Sequence, residues 1–166
     1  DWGKGSDINS DDNMSGTFYD LSANGTANCY IVSSANFAYC FDATVKGNGN
    51  TIALGGGIET TLNPKTVEIV WIDDAVKDDF VLETASEVDG ITRGRIVEGK
   101  VLFRVIGARD SIGNVIKSDK SLQSEGNVLL GVRDEAGNML WTWHIWITDK
   151  PQKQNYTRGY IALDRN

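Results

Sequence analysis

Residues 128–148 read VLLGVRDEAGNMLWTWHIWIT, and the fold turns on how this stretch is read. Its middle, Asp134-Glu135-Ala136-Gly137-Asn138, is a turn signal: a type I turn followed by Gly137 at positive φ closes a short hairpin loop with a glycine bulge. That register sets Gly131 opposite Trp141 and Leu129 opposite Trp143, where a strand glycine leaves room for an indole to lie across the backbone. Side chains alternate along a strand, so Met139, Trp141, Trp143, Ile145 and Ile147 share one face, which must be core. The other face carries Leu140, Thr142, His144, Trp146 and Thr148. A strand apolar on one side and half-apolar on the other belongs in the middle of a sheet.

The same reading extends outward. Short apolar runs at 17–21, 27–33, 37–46, 66–72, 79–83, 94–97, 101–106, 127–133, 139–148 and 159–163 are separated by Asn, Gly, Asp and Ser. This spacing predicts an all-β chain, an antiparallel β-sandwich of immunoglobulin-like or related kind with little or no helix. The opening DWGKGSDINSDDNMSG (1–16) is polar and acidic and reads as a flexible linker or tail. Residues 17–150 form the sandwich domain. Residues 151–166 read as an extended segment and last strand leading toward a following domain.

Composition limits the classes of function. The 166 residues are 40% hydrophobic and 23% charged, enough apolar material for one core. Lys and Arg number 16 against 23 Asp and Glu, a net charge of −7, which leaves no footprint for nucleic acid or an anionic membrane. No apolar run reaches the roughly 18 residues of a membrane helix, so no direct membrane insertion is expected.

In ANCYIVSSANFAYCFDATV (27–45), a turn centred on Ser34-Ala35 sets Cys29 opposite Cys40. Two such cysteines in an extracytoplasmic chain form a disulfide, or else both are small buried hydrophobes that never meet; the spacing leaves both open. The one histidine, His144, lies mid-strand and reads as a structural residue bonded to backbone or a carboxylate. No HExxH, GxSxG or CxxC motif is present, so no catalytic residue, metal site or cofactor is expected. Adjacent acids such as Asp73-Asp74 diverge on a strand, and a hydrolase would need Asp73, Asp74 and Glu83 to converge only in three dimensions. The acidic stretch 7–18 fails the calcium-loop pattern at Asp12 and Phe18. Gly47-Asn48-Gly49 and Gly55-Gly56-Gly57 lack phosphate-loop spacing and read as turns. With Trp141 and Trp143 committed to the core, Trp146, Trp71 and Trp2 are left as stacking platforms for a glycan, with His144 beside them.

The stretch Asp20-Leu21-Ser22-Ala23-Asn24-Gly25-Thr26-Ala27-Asn28-Cys29-Tyr30-Ile31-Val32-Ser33 resembles a segment repeated across surface-exposed, fimbrillin-like lipoproteins of the gut Bacteroidetes. Gly126-Asn127-Val128 and the run Leu140-Trp141-Thr142-Trp143-His144-Ile145-Trp146-Ile147-Thr148-Asp149 resemble a second hallmark of those modules. The closing Ala162-Leu163-Asp164-Arg165-Asn166 is similar to the entry of a domain that often follows. The resemblance implies a non-enzymatic, adhesion-type structural or interaction module displayed outside the cytoplasm, at the cell surface or outer membrane. Its partner would be a neighbouring domain or subunit that meets the apolar strand face. A carbohydrate-binding module is the alternative, and a phage fibre or capsid decoration module a further one.

Overall fold

The computed structural model describes residues 6–7, 18–50, 59–151, 153–155 and 161–163. Its strands are β1 (Ser6–Asp7), β2 (Tyr19–Asp20), β3 (Cys29–Val32), β4 (Phe37–Asp42), β5 (Thr66–Ile72), β6 (Phe80–Leu82) and β7 (Ser86–Val88). They continue with β8 (Ile91–Arg95), β9 (Lys100–Val105), β10 (Gly126–Arg133), β11 (Met139–Ile147), β12 (Lys153–Asn155) and β13 (Ile161–Leu163). The chain is all-β, with no helix among the described residues. Of the segment 1–16, only Ser6–Asp7 is described, paired with Ala38 and Phe37. Trp2, the Asp11-Asp12 pair and Gly55-Gly56-Gly57 lie outside the described residues, as does nearly all of the 7–18 stretch.

Two sheets pack face to face. The larger has the order β3-β11-β10-β5-β8-β7; the smaller has β1-β4-β9-β6, with β2 also on β4. Strands β12 and β13 make a separate antiparallel pair. The larger sheet turns Tyr30, Val32, Val67, Val128, Leu130, Val132, Trp143, Ile145 and Ile147 inward. The smaller answers with Tyr39, Phe41, Phe80, Leu82, Val101, Phe103 and Val105. Aromatic rings form the seam: Phe41 lies 5.4 Å from Trp143 and 5.1 Å from Tyr30, and Phe103 lies 5.5 Å from Tyr39 and 5.1 Å from Phe80. Pairs at these separations add to what area burial alone supplies.

The hairpin of β10 and β11 forms as the turn signal predicts. Gly137 has φ +86°, its N–H donates to Asp134 O (3.1 Å), and Asn138 N donates to Asp134 Oδ1 (2.8 Å). The register differs by one residue. Leu129 faces His144, Leu130 faces Trp143, and Gly131 faces Thr142. The cause is an irregularity between the Val132–Trp141 and Arg133–Met139 pairs, which leaves Leu140 as an extra residue. Met139 is thereby turned outward, 39% exposed, and does not join the core row. Its sulfur and methyl lie over Gly131, where a Cβ would come within 2.8 Å of them.

Two further expectations are corrected. The sheets are mixed, because β3 runs parallel to β11 and β2 parallel to β4. Strands β3 and β4 do not form a hairpin; the chain arches from one sheet to the other. At the arch Ala35 N donates to Lys120 O (2.9 Å), Asn36 takes φ +57°, and Tyr39 Oη donates to Ser34 O (2.8 Å). The arch wins because it sets the apolar row of β3 against that of β4 across the core, as the Tyr30–Phe41 contact records. With Tyr30 and Tyr39 both inward, Cys29 and Cys40 point outward from opposite sheets, and both are free thiols.

Crossing from β6 to β7 also demands a close approach. A Cβ on Gly94 of β8 would lie 2.8 Å from Glu83 O and 3.0 Å from Thr84 Oγ1. Thr84, at φ +61°, ties the crossing to β8 by accepting from Arg95 N (3.0 Å) and donating to Arg95 O (3.1 Å). Gly94→Ala should therefore lower unfolding free energy by roughly 1–3 kcal/mol, the range for a forced backbone shift. Urea denaturation measures this; a midpoint equal to wild type would show that the crossing tolerates the methyl.

Candidate functional site

Alternation decides what the outer face of the larger sheet presents. With Trp143, Ile145 and Ile147 turned inward, Thr142, His144 and Trp146 must turn out. The pairing registers then lay side chains in transverse rows. One row runs Trp71, Leu129, His144, Cys29; beside it lie Asn127, Trp146 and Ile31; on the other flank lie Arg93, Glu68, Gly131 and Thr142. The three candidate binding residues Trp71, Trp146 and His144 thus share one surface. Trp71 is 53% exposed, while Trp146 and His144 are half-buried.

His144 is bonded neither to backbone nor to a carboxylate through its ring. Its Nδ1 meets Cys29 Sγ at 3.2 Å and its Nε2 meets Asn127 Oδ1 at 2.7 Å. Asn127 is itself oriented by Asp73, whose Oδ2 accepts from Asn127 Nδ2 (2.9 Å) and from Asn127 N (2.7 Å). With the Asn127 amide nitrogen donating to the carboxylate, its oxygen can only accept from the ring. The proton of the imidazole therefore sits on Nε2, and bare Nδ1 accepts from the Cys29 thiol. Desolvation pushes the Cys29 thiol above its ordinary range, which favours this neutral S–H form. Beside His144 opens a groove of about 290 Å³ lined by Asn28, Leu129, Trp141 and Thr142. Asn28 is fixed there by the Trp141 indole N–H, which donates to its Oδ1 (2.8 Å).

A second feature lies on β5. The pairing with β10 skips a residue between the Trp71–Leu129 and Ile69–Leu130 pairs, so Val70 is bulged. Consecutive residues then both face solvent, Val70 at 45% and Trp71 at 53%. Next to them a groove of about 410 Å³ has Ile72, Val81, Lys77 and Thr92 on its walls.

The acids of the hydrolase reading do not converge. Asp73 holds Asn127, Asp74 pairs with Lys77 (3.3 Å), and Glu83 pairs with Arg104 on the other sheet. Among the described residues no three His, Cys, Asp or Glu side chains gather as metal ligands. Cys40 sits under Asp20 and Lys100 on the smaller sheet, and burial pushes its thiol up to about 11. Sequence reasoning missed Asn127, Asn28, Leu129 and Thr142 as neighbours of His144. The Gly126-Asn127-Val128 block held one of them, but no spacing links it to Cys29. Comparison of the chain with protein-family models, curated proteins and solved structures finds no match.

One ionic cluster anchors this face. Glu68, 6% exposed, accepts from Arg133 (2.8 Å) and from Arg93 (2.9 Å). The Arg133 hydrogen bond foremost, then Arg93, holds the Glu68 carboxyl below the usual carboxylate range against its desolvation. A depressed folded-state value gives stability that is full above the unfolded value near 4.3 and is lost as pH falls through the folded one. Glu68→Gln should be less stable than wild type at pH 7, and the gap should narrow below about pH 4. Melting curves across pH 2–7 test this, and a gap independent of pH would place the effect outside ionisation.

Proposed function

We propose that this chain is a structural and interaction module of a bacterial cell-surface protein, one that docks a neighbouring domain or subunit on the outer face of its larger sheet. The observation that carries the reading is the β5 bulge. A regular strand would bury one of Val70 and Trp71; the bulge presents both to solvent, with Met139 laid flat beside them over Gly131. Bulges re-aim side chains, and contiguous exposed apolar groups mark contact surfaces. The surface location rests on the resemblance of the 20–33 and 140–149 blocks to fimbrillin-like lipoproteins. This role asks no turnover of the patch, only complementary apolar area.

A second reading has its own support. The half-exposed indole of Trp71 stands at a groove with Lys77 and Thr92 on its walls, so a sugar ring could stack on the former and hydrogen-bond to the latter. Tryptophan fluorescence titrated with host and plant polysaccharides distinguishes it: a saturable change abolished by Trp71→Ser favours a glycan.

For the docking reading, Trp71→Ser should lower the melting temperature of the 166-residue chain only modestly, since about half of the residue is already solvated. In the polypeptide encoded by the whole reading frame the same substitution should cost about 2 kcal/mol, the scale of burying one large apolar side chain. Differential scanning calorimetry of both proteins decides. Equal effects in the two would remove the docked neighbour.

A further inference from the structure

A thiol, an imidazole and a carboxamide in hydrogen-bonded sequence form a familiar chemical device wherever the thiol is reachable. Here Cys29 Sγ, His144 Nδ1, His144 Nε2 and Asn127 Oδ1 follow one another at 3.2 and 2.7 Å, and Asp73 fixes the far end. Such a chain presents the thiol to a base whose other nitrogen is already occupied, which sets both tautomer and ring orientation. Cys29 is exposed, unlike Cys40. It lies on β3, beyond which no strand pairs among the described residues.

Two further observations bear on what the thiol would attack. The parallel ladder uses Asn28 O for His144 N (2.9 Å) and Val32 O for Thr148 N (3.0 Å). By the alternation of such a ladder, the main-chain N–H of Cys29 points away from β11, toward the open edge. A donor beside the nucleophilic atom is what a developing oxyanion requires. Next, the groove of about 290 Å³ is bordered by His144, with Leu129 and Trp141 for an apolar moiety and Asn28 and Thr142 for a polar one; Cys29 adjoins it through its contact with the His144 ring and does not itself line it. That volume suits a small acyl group better than a polymer.

We propose that Cys29, His144 and Asn127 form a nucleophilic thiol site that takes a small acyl group from an ester or thioester. In the step, Cys29 gives its proton to His144 Nδ1 as Sγ adds to the carbonyl carbon. The tetrahedral oxyanion then collapses, the bond to the leaving oxygen or sulfur breaks, and the leaving group departs with the proton from His144. The product is a thioester on Cys29, and nothing is oxidised or reduced. Cys29 is the nucleophile and His144 the base; Asn127 is a positioning residue that acts through the ring. The proposal does not rest on the docking reading, because neither Trp71 nor Val70 takes part in it, although both features lie on the same face of the larger sheet.

The test is incubation of the 166-residue chain with p-nitrophenyl acetate, following nitrophenolate release and mapping the acetyl group by peptide mass spectrometry. The expected result is one acetyl group, on Cys29, with Cys40→Ser reacting as fast as wild type. His144→Gln should slow acylation about 100-fold, the lower range for a positioned general base. Asn127→Ala should slow it less, and Cys29→Ser should carry no thioester. A structural hydrogen bond would not change the pH profile. The wild-type rate should level off below the range in which the thiol ionises, whereas the His144→Gln rate should keep rising with pH. Near-ultraviolet circular dichroism of the tryptophans checks that each variant folds; should His144→Gln fail to, the wild-type map and pH profile decide by themselves. Acetylation spread over lysines or Cys40, or a folded His144→Gln that reacts at the wild-type rate, would overturn the proposal.

Discussion

Burial of Trp143 against Phe41 is the contact on which the rest of the molecule depends. Trp143 is fully inaccessible on β11, between β3 and β10 of the larger sheet, and its ring lies 5.4 Å from that of Phe41 in the smaller one. The contact has a cost, since the indole Nε1 has no hydrogen-bond partner among the described residues. An unpaired buried donor costs about 1–3 kcal/mol. Removing some 150–250 Å² of aromatic surface from water is worth about 4–6 kcal/mol at 25 cal/mol per Å². Burial therefore wins, and the ring stays inside without its partner.

Everything on the outer face follows from that commitment. Because β11 has a period of two, fixing Trp143, Ile145 and Ile147 inward fixes Thr142, His144 and Trp146 outward. The neighbours obey the same rule: Val128 and Leu130 inward put Asn127 and Leu129 outward, while Tyr30 and Val32 inward put Cys29 and Ile31 outward. The meeting of Cys29, His144 and Asn127 is thus a consequence of three apolar rows seeking one core. The core supplies the cohesion, and the register supplies the geometry.

How much of this was legible in the sequence depended on whether a local signal existed. The β10–β11 turn was readable because Asp134, Gly137 and Asn138 encode it within five positions. The all-β class was readable from the spacing of apolar runs. The parallel seating of β3 on β11 was not: their contact joins residues 115 positions apart, and no connecting turn sets its register. The same gap made Cys29 and Cys40 look like cross-strand partners, since an arch and a hairpin share the same short connection from Ser33 to Asn36. The two irregularities, at Leu140 and Val70, were hidden for a different reason. Each inserts one residue into an apolar run, and whether it is skipped depends on what the facing strand offers, here Gly131 with room for Met139 and Val70 above it.

These irregularities separate two demands that a plain sandwich would set against each other. A strictly alternating β5 would place one of Val70 and Trp71 in the core and leave only the other on the outer face. By spending one residue outside the ladder, the strand keeps Val67 buried at one end of the sheet and displays a contiguous apolar pair farther along. The edge is handled differently. An exposed edge strand invites pairing with another chain unless it is short or polar, and β3 has four residues, with Asn28 and Cys29 at its start tied sideways to Trp141 and His144. The polar end of the edge and the apolar bulge on β5 thus lie on one face, both held in place by the inward rows of a single core.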